Sequence, residues 1–123
     1  MSGTMNENYL ENLNEIFEGI SDKVMERGWM SEFVNTNDFD LYIHVKDDSV
    51  LDGYTDVVMS FTDFSDEGSL SVENAYEMAS WLYDKLVKDY RDQVNFDTFG
   101  YIHVLFNEEL IVKNIYDLED FED

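Results

Sequence analysis

The chain has 123 residues, of which 29 are Asp or Glu and seven are Lys or Arg, giving a formal net charge of -22. That length suits one domain of ordinary size, and 44% hydrophobic with 15% aromatic residues is too apolar for a disordered acidic tail. The sign of the charge excludes direct binding to nucleic acid, which needs clustered Lys and Arg, and an anionic membrane surface would repel the chain.

Without Cys there is neither a disulfide framework nor a thiolate metal site. No apolar run approaches the roughly 18 residues of a membrane span, and no basic-then-apolar signal opens the sequence. A cytoplasmic protein is expected. Met5 offers a second start, so residues 1–6 are read as disordered or as an expression remnant. Asn, Phe and Tyr total 27 while Ala, Pro and Arg total four, which points to an AT-rich coding sequence. Such a genome favours Lys, yet only five Lys stand beside 29 carboxylates. Base composition therefore does not account for the acidity.

Residues 7–27 read as a helix, because Leu10, Leu13, Phe17, Ile20 and Val24 recur at spacings of three and four, with Ile16 alongside. Gly28 follows as a stop. Residues 39–46 alternate, with Phe39, Leu41, Ile43 and Val45 on one face and Asp40, Tyr42, His44 and Lys46 on the other. Past Asp52-Gly53, residues 54–62 form a second strand with Val57, Met59 and Phe61 inward. Ser71 caps a second helix, roughly 72–92, with an apolar face of Ala75, Ala79, Leu82, Tyr83, Leu86 and Tyr90. Residues 98–106 and 109–116 make a hairpin around Asn107-Glu108, with Ile102, Val104, Phe106, Leu110 and Val112 inward, although the parity of the last strand is ambiguous.

The order is αββαββ, an α+β single domain over 1–123 with a four-stranded, mostly antiparallel sheet and both helices on one face. Tyr42-Ile43-His44-Val45 recurs as Tyr101-Ile102-His103-Val104, which suggests a duplicated αββ unit, 7–63 and 71–116, followed by an acidic tail at 117–123.

At 100° per residue, Glu7, Glu11, Glu15, Glu18 and Asp22 fall within an arc of about 80° opposite the apolar face of the first helix, and Glu26 extends it. Like charges at i,i+4 cost roughly 0.2–0.5 kcal/mol per pair where a Lys would have helped. An ordinary solvated face mixes signs, as the second helix does with Glu77, Asp84, Lys85, Lys88, Asp89 and Arg91; the first helix has no cation before Lys23. Two further groups join this candidate binding set. Residues 47–67 hold Asp47, Asp48, Asp52, Asp56, Asp63, Asp66 and Glu67 without a cation, and the tail carries Asp117, Glu119 and Asp120. That end reads equally as a docking segment or as a frayed solubilising tail.

Duplex DNA carries one charge per about 1.7 Å of axis, so 22 charges occupy about 37 Å. A compact chain of this length is about 35 Å across. The two are matched in charge per unit length.

Catalytic and metal chemistry find little support. His44 and His103 lie on the sheet face away from the expected core. If the two repeats pair about a pseudo-two-fold, Tyr42, His44, Tyr101 and His103 would cluster as a metal site, a pH-sensitive patch or a contact surface; a plain wet sheet face is the alternative. Asp63-Phe64-Ser65-Asp66-Glu67-Gly68 resembles the opening of a calcium loop, but Asn74 stands where the bidentate Glu belongs. There is no G-x-S-x-G, H-E-x-x-H, phosphate-binding loop or dinucleotide fingerprint. No enzyme, metal or cofactor is expected. Trp81 falls on the polar side of the second helix and reads as an interface anchor or as a residue covered by the 93–98 loop; Tyr42 and Tyr101 are further interface aromatics. Trp29 is expected to close one end of the core.

In size, charge, the carboxylate row Glu7, Glu11, Glu15, Glu18, Asp22 and the Tyr116–Asp123 tail, the chain resembles the phage and mobile-element inhibitors that imitate nucleic acid, the anti-CRISPR and antirestriction proteins. No family motif is shared. The resemblance implies a non-enzymatic protein that occupies the basic DNA-binding groove of a bacterial defence nuclease, a CRISPR effector such as Cas9 or a restriction enzyme. The alternative is an immunity protein or adaptor for a basic cellular protein, with the same electrostatics.

Overall fold

The computed structural model of the chain describes residues 7–28, 30–46 and 53–115, and every side chain among them except those of Glu7, Arg27, Asn114 and Ile115. Residues 1–6, Trp29 and the 117–123 tail lie outside the described residues. Helix α1 runs Glu7–Arg27, and its three-and-four spacing becomes a buried stripe of Leu13, Phe17, Ile20 and Val24. Gly28 ends it with a φ of 73°, the left-handed conformation that a Cβ disfavours. A short helix α2, Ser31–Val34, was not legible in the sequence. Strands β1, Phe39–Val45, and β2, Thr55–Asp63, follow. Helix α3 spans Val72–Asp89, with the Ser71 side chain accepting from the Asn74 amide as its N-cap. A 3-10 turn at Phe96–Thr98 leads into β3, Phe99–Phe106, and β4, Glu109–Ile115.

The sheet order is β1-β2-β3-β4. β1 and β2 are antiparallel, as are β3 and β4. β2 and β3 are parallel, which the intervening α3 makes possible, since a parallel pair needs a crossover connection. Register places Leu41 opposite Phe61, Ile43 opposite Met59 and Val45 opposite Val57, and Val57 and Met59 opposite Ile102 and Val104. These side chains share one face. With the α1 stripe and Ala75, Met78, Ala79, Leu82 and Leu86 of α3 they form one contiguous core, each large member contributing about 1.5–3 kcal/mol of burial.

Three expectations need correction. Leu110 is not inward: a register shift between Val104 and Leu105 sets Leu110 opposite Leu105, and Leu110 is 53% exposed. One extra residue in a strand reverses the alternation beyond it, so Ile111 packs against the core in place of Leu110, beside Val112, which is inward as expected. The second helix stops at Asp89 rather than 92. The repeats are also not paired about a two-fold axis normal to the sheet: such an axis would exchange β1 with β3 and β2 with β4, whereas the central pair is β2 and β3, which are not equivalent strands. His44 and His103 do share a face, on either side of Val58. Tyr42 and Tyr101 are driven apart: Tyr42 aligns through Ser60 with Leu105, four residues or about 13 Å along β3 from Tyr101.

The Asn107-Glu108 turn has positive φ at both residues, 52° and 72°, the arrangement that suits a two-residue hairpin. It is pinned to the end of β2, where the Asn107 amide donates to Phe61 O at 2.8 Å and its side-chain oxygen accepts from the Asp63 amide at 2.9 Å.

Candidate acidic interface

Glu11, Glu15, Glu18, Asp22 and Glu26 are all exposed, because the α1 core stripe turns them outward. Glu11 to Asp22 spans about 16 Å of helix axis. Four carboxylates over that length amount to about one per 5 Å, against one phosphate per 3.4 Å in a single DNA strand. The spacing is sparser than phosphates by about half, within reach of flexible Lys and Arg side chains.

A surface groove of about 630 Å³ runs beside this row, lined by Asn12, Glu15, Ile16, Asp92 and Gln93. It brings Asp92, from the turn after α3, alongside Glu15. The Tyr9 hydroxyl, on the same helix as Glu15, accepts from the Asn95 amide at 2.8 Å. Burial raises the Tyr9 pKa, and the Asn95 bond partly opposes this. Asp92 was missed in the sequence because it belongs to the mixed-sign end of the second helix.

On α3 one carboxylate is paired within the helix. Lys85 pairs with Asp89 at 2.7 Å, and that hydrogen bond leads the lowering of the Asp89 pKa, with Lys88 and Lys23 adding to it. Among the described residues the α1 row has no such arrangement.

The second acidic group divides. Asp63 is occupied inside its own loop: Oδ1 accepts from the Ser65 amide at 2.8 Å and from the Ser65 hydroxyl at 2.7 Å, and Oδ2 from the Gly68 amide at 2.8 Å. These bonds, the Ser65 hydroxyl first, hold its carboxyl below the usual aspartate value. Gly68 is required, since a Cβ there would sit 2.9 Å from Asp63 Oδ2, Thr36 Cγ2 and Val34 O. Asp66 and Glu67 are exposed. Asp47, Asp48, Asp52, Asp117, Glu119, Asp120 and the Glu7 side chain lie outside the described residues.

Asp56, read with the acidic segment, is buried at 9% exposure. Its Oδ1 accepts from the Tyr101 amide at 2.9 Å, and Oδ2 lies 3.2 Å from His103 Nε2. The reason is a bulge in β3, where the partner of β2 skips from Phe99 to Ile102 between Thr55 and Val57. Asp56 satisfies the amide that the bulge sets free. A Cβ on Gly100 would overlap Asp56 Oδ1, so glycine is required there.

Of the aromatic candidates, Tyr42 is 62% exposed and stacks on His44 with ring centroids 4.5 Å apart. Tyr101 is half-buried, with Lys113 Nζ 4.4 Å from its ring centroid. Trp81 is half-buried against the core, between the two positions that the sequence allowed it. Among the described residues no three His, Asp or Glu side chains are placed to hold a metal ion, and no helix is long and apolar enough to cross a membrane.

No family model matches the sequence, and no curated protein or solved structure does. The class is set by geometry alone: a mixed 1-2-3-4 sheet, helices on one face, and one helix with a row of exposed carboxylates.

Proposed function

We propose that the protein is a non-enzymatic acidic binder that imitates the phosphates of nucleic acid and blocks a basic groove in its partner. Within that class the reading is an inhibitor of a bacterial defence nuclease acting in the host cytoplasm: an anti-CRISPR protein against an effector such as Cas9, or an antirestriction protein. The observation that carries it is the exposed row Glu11, Glu15, Glu18, Asp22, in which, among the described residues, no ion pair like Lys85–Asp89 of α3 is formed. A row of like charges weakens its own helix, so a contact that needs it is the natural counterweight. Asp92 widens the row across the groove. Carboxylates opposite Lys and Arg give fast, salt-sensitive association, and blockade is stoichiometric.

The test mixes the purified protein with a Cas9–guide complex and, separately, with a restriction enzyme, and follows duplex binding by mobility shift. One of them should lose DNA binding at about one equivalent, with the effect fading between about 50 and 200 mM salt. Unchanged DNA binding by both, at low salt and in excess inhibitor, removes the nuclease-inhibitor reading.

A further inference from the structure

The two edges of the sheet are finished differently. Phe64 N donates to Asp38 O at 2.9 Å and Lys46 N to Asp56 O at 2.8 Å, so the even-numbered residues of β1 bond to β2. Hydrogen-bonded pairs alternate along an antiparallel ladder. The backbone groups of Phe39, Leu41, Ile43 and Val45 therefore point out of the sheet, and side chains occupy three of them. The Leu41 amide donates to Asp40 Oδ1 at 3.0 Å, the Val45 amide to Asn14 Oδ1 at 3.1 Å, and Val45 O meets His44 Nδ1 at 3.1 Å. Asn14 belongs to α1, so a helix guards that edge as well.

β4 is the opposite edge, and among the described residues no side chain bonds the backbone of 109–113. Lys113, its cation, is turned to the Tyr101 ring. Leu110 is 53% exposed, and Glu108 and Glu109 stand exposed at the start of the strand. Apart from the bulge opposite Leu105, the described residues leave the backbone of this edge unoccupied, and such an edge is a template for pairing. A second copy is a poor occupant, because edge-to-edge pairing would bring together two chains of -22 each.

We propose that β4 takes an extended, Lys- or Arg-bearing segment of the partner as a fifth strand, with its backbone bonded to the open edge and its cations set against Glu108 and Glu109. The proposal rests on the basic-partner reading above and names how part of that partner is held. Strand addition supplies affinity through main-chain bonds, and the charge selects which strand is accepted.

The experiment uses the full chain and two synthetic peptides of identical sequence, an alternating Lys-Val dodecamer and the same dodecamer methylated on every backbone nitrogen. Charge is equal in both; only the first can pair as a strand. The unmethylated peptide is expected to bind at least about tenfold more tightly and to slow amide exchange at Leu110–Lys113. Equal affinity for the two peptides, or slowed exchange confined to α1, overturns the edge proposal and leaves the basic-partner reading standing. Failure of both peptides to bind at low salt removes both.

Discussion

Asp56 and Asp63 show that carboxylates of the same formal charge serve different ends. Asp56 is enclosed between β2 and β3, where it satisfies the Tyr101 amide. Truncating it to Ala leaves that amide without its acceptor, at a cost of about 1–3 kcal/mol. Asp56→Asn keeps an acceptor oxygen and should lose less. Gly100→Ala should also destabilise by about 1–3 kcal/mol, since the new methyl displaces the Asp56 carboxylate. Urea denaturation of the three variants checks the order, and a neutral Gly100→Ala would contradict the bulge account. Nothing near Asp56 in the sequence announces this role: its partners are 45 and 47 residues away, and a strand acid reads as solvent-facing. Asp63 was more legible. Asp-x-Ser followed by Gly at the sixth position is an Asx-turn pattern, and the same residues that suggest an incomplete calcium loop instead close the loop on themselves. Its carboxyl is held below the usual 3.8. A depressed carboxyl stabilises the fold above the ordinary aspartate range, and that contribution disappears as pH falls through the depressed value. Ser65→Ala removes the hydroxyl donor, so the Asp63 titration followed by NMR should move up toward 3.8; an unmoved midpoint would contradict this assignment.

Helix α1 carries the trade between stability and binding. Glu15 has Glu11 four residues before it and Glu18 three residues after it on the same exposed face. Glu15→Lys turns two repulsions into attractions and should stabilise the chain by about 0.5–1 kcal/mol while weakening binding to a basic partner. Thermal denaturation and a binding titration on the same variant read the two effects; destabilisation, or undiminished binding, would contradict the role given to the row. This helix was legible because its period-3.6 stripe and terminal Gly28 act locally, and the alternation of β1 and β2 was legible for the same reason. The inward set of β4 was not, because the bulge at Leu105 and Leu110 arises from pairing and leaves no mark on one strand. The parallel β2–β3 junction likewise depends on where α3 crosses, so the echo between Tyr42–Val45 and Tyr101–Val104 suggested a symmetry that the sheet lacks.

Over the whole molecule the charge of -22 is unevenly spent. α3 pairs part of its charge through Lys85 and Asp89, Asp56 and Asp63 are engaged internally, and α1 with Asp92 presents a row of exposed acid. The folded chain should therefore be strained by self-repulsion. Its melting temperature should rise as salt increases from low strength to about 0.15 M, whereas association with a basic partner should weaken over the same range. A melting temperature indifferent to salt would mean that the carboxylates are already compensated. The most direct test of the central claim is displacement of labelled duplex from a Cas9–guide complex by the wild-type chain and by the triple variant Glu11→Lys, Glu15→Lys, Glu18→Lys, with circular dichroism confirming the fold of both. The wild type is predicted to displace the duplex at about one equivalent and the variant to need at least about a hundredfold more. A folded variant that displaces the duplex as well as the wild type would contradict the claim that the α1 face stands in for phosphates.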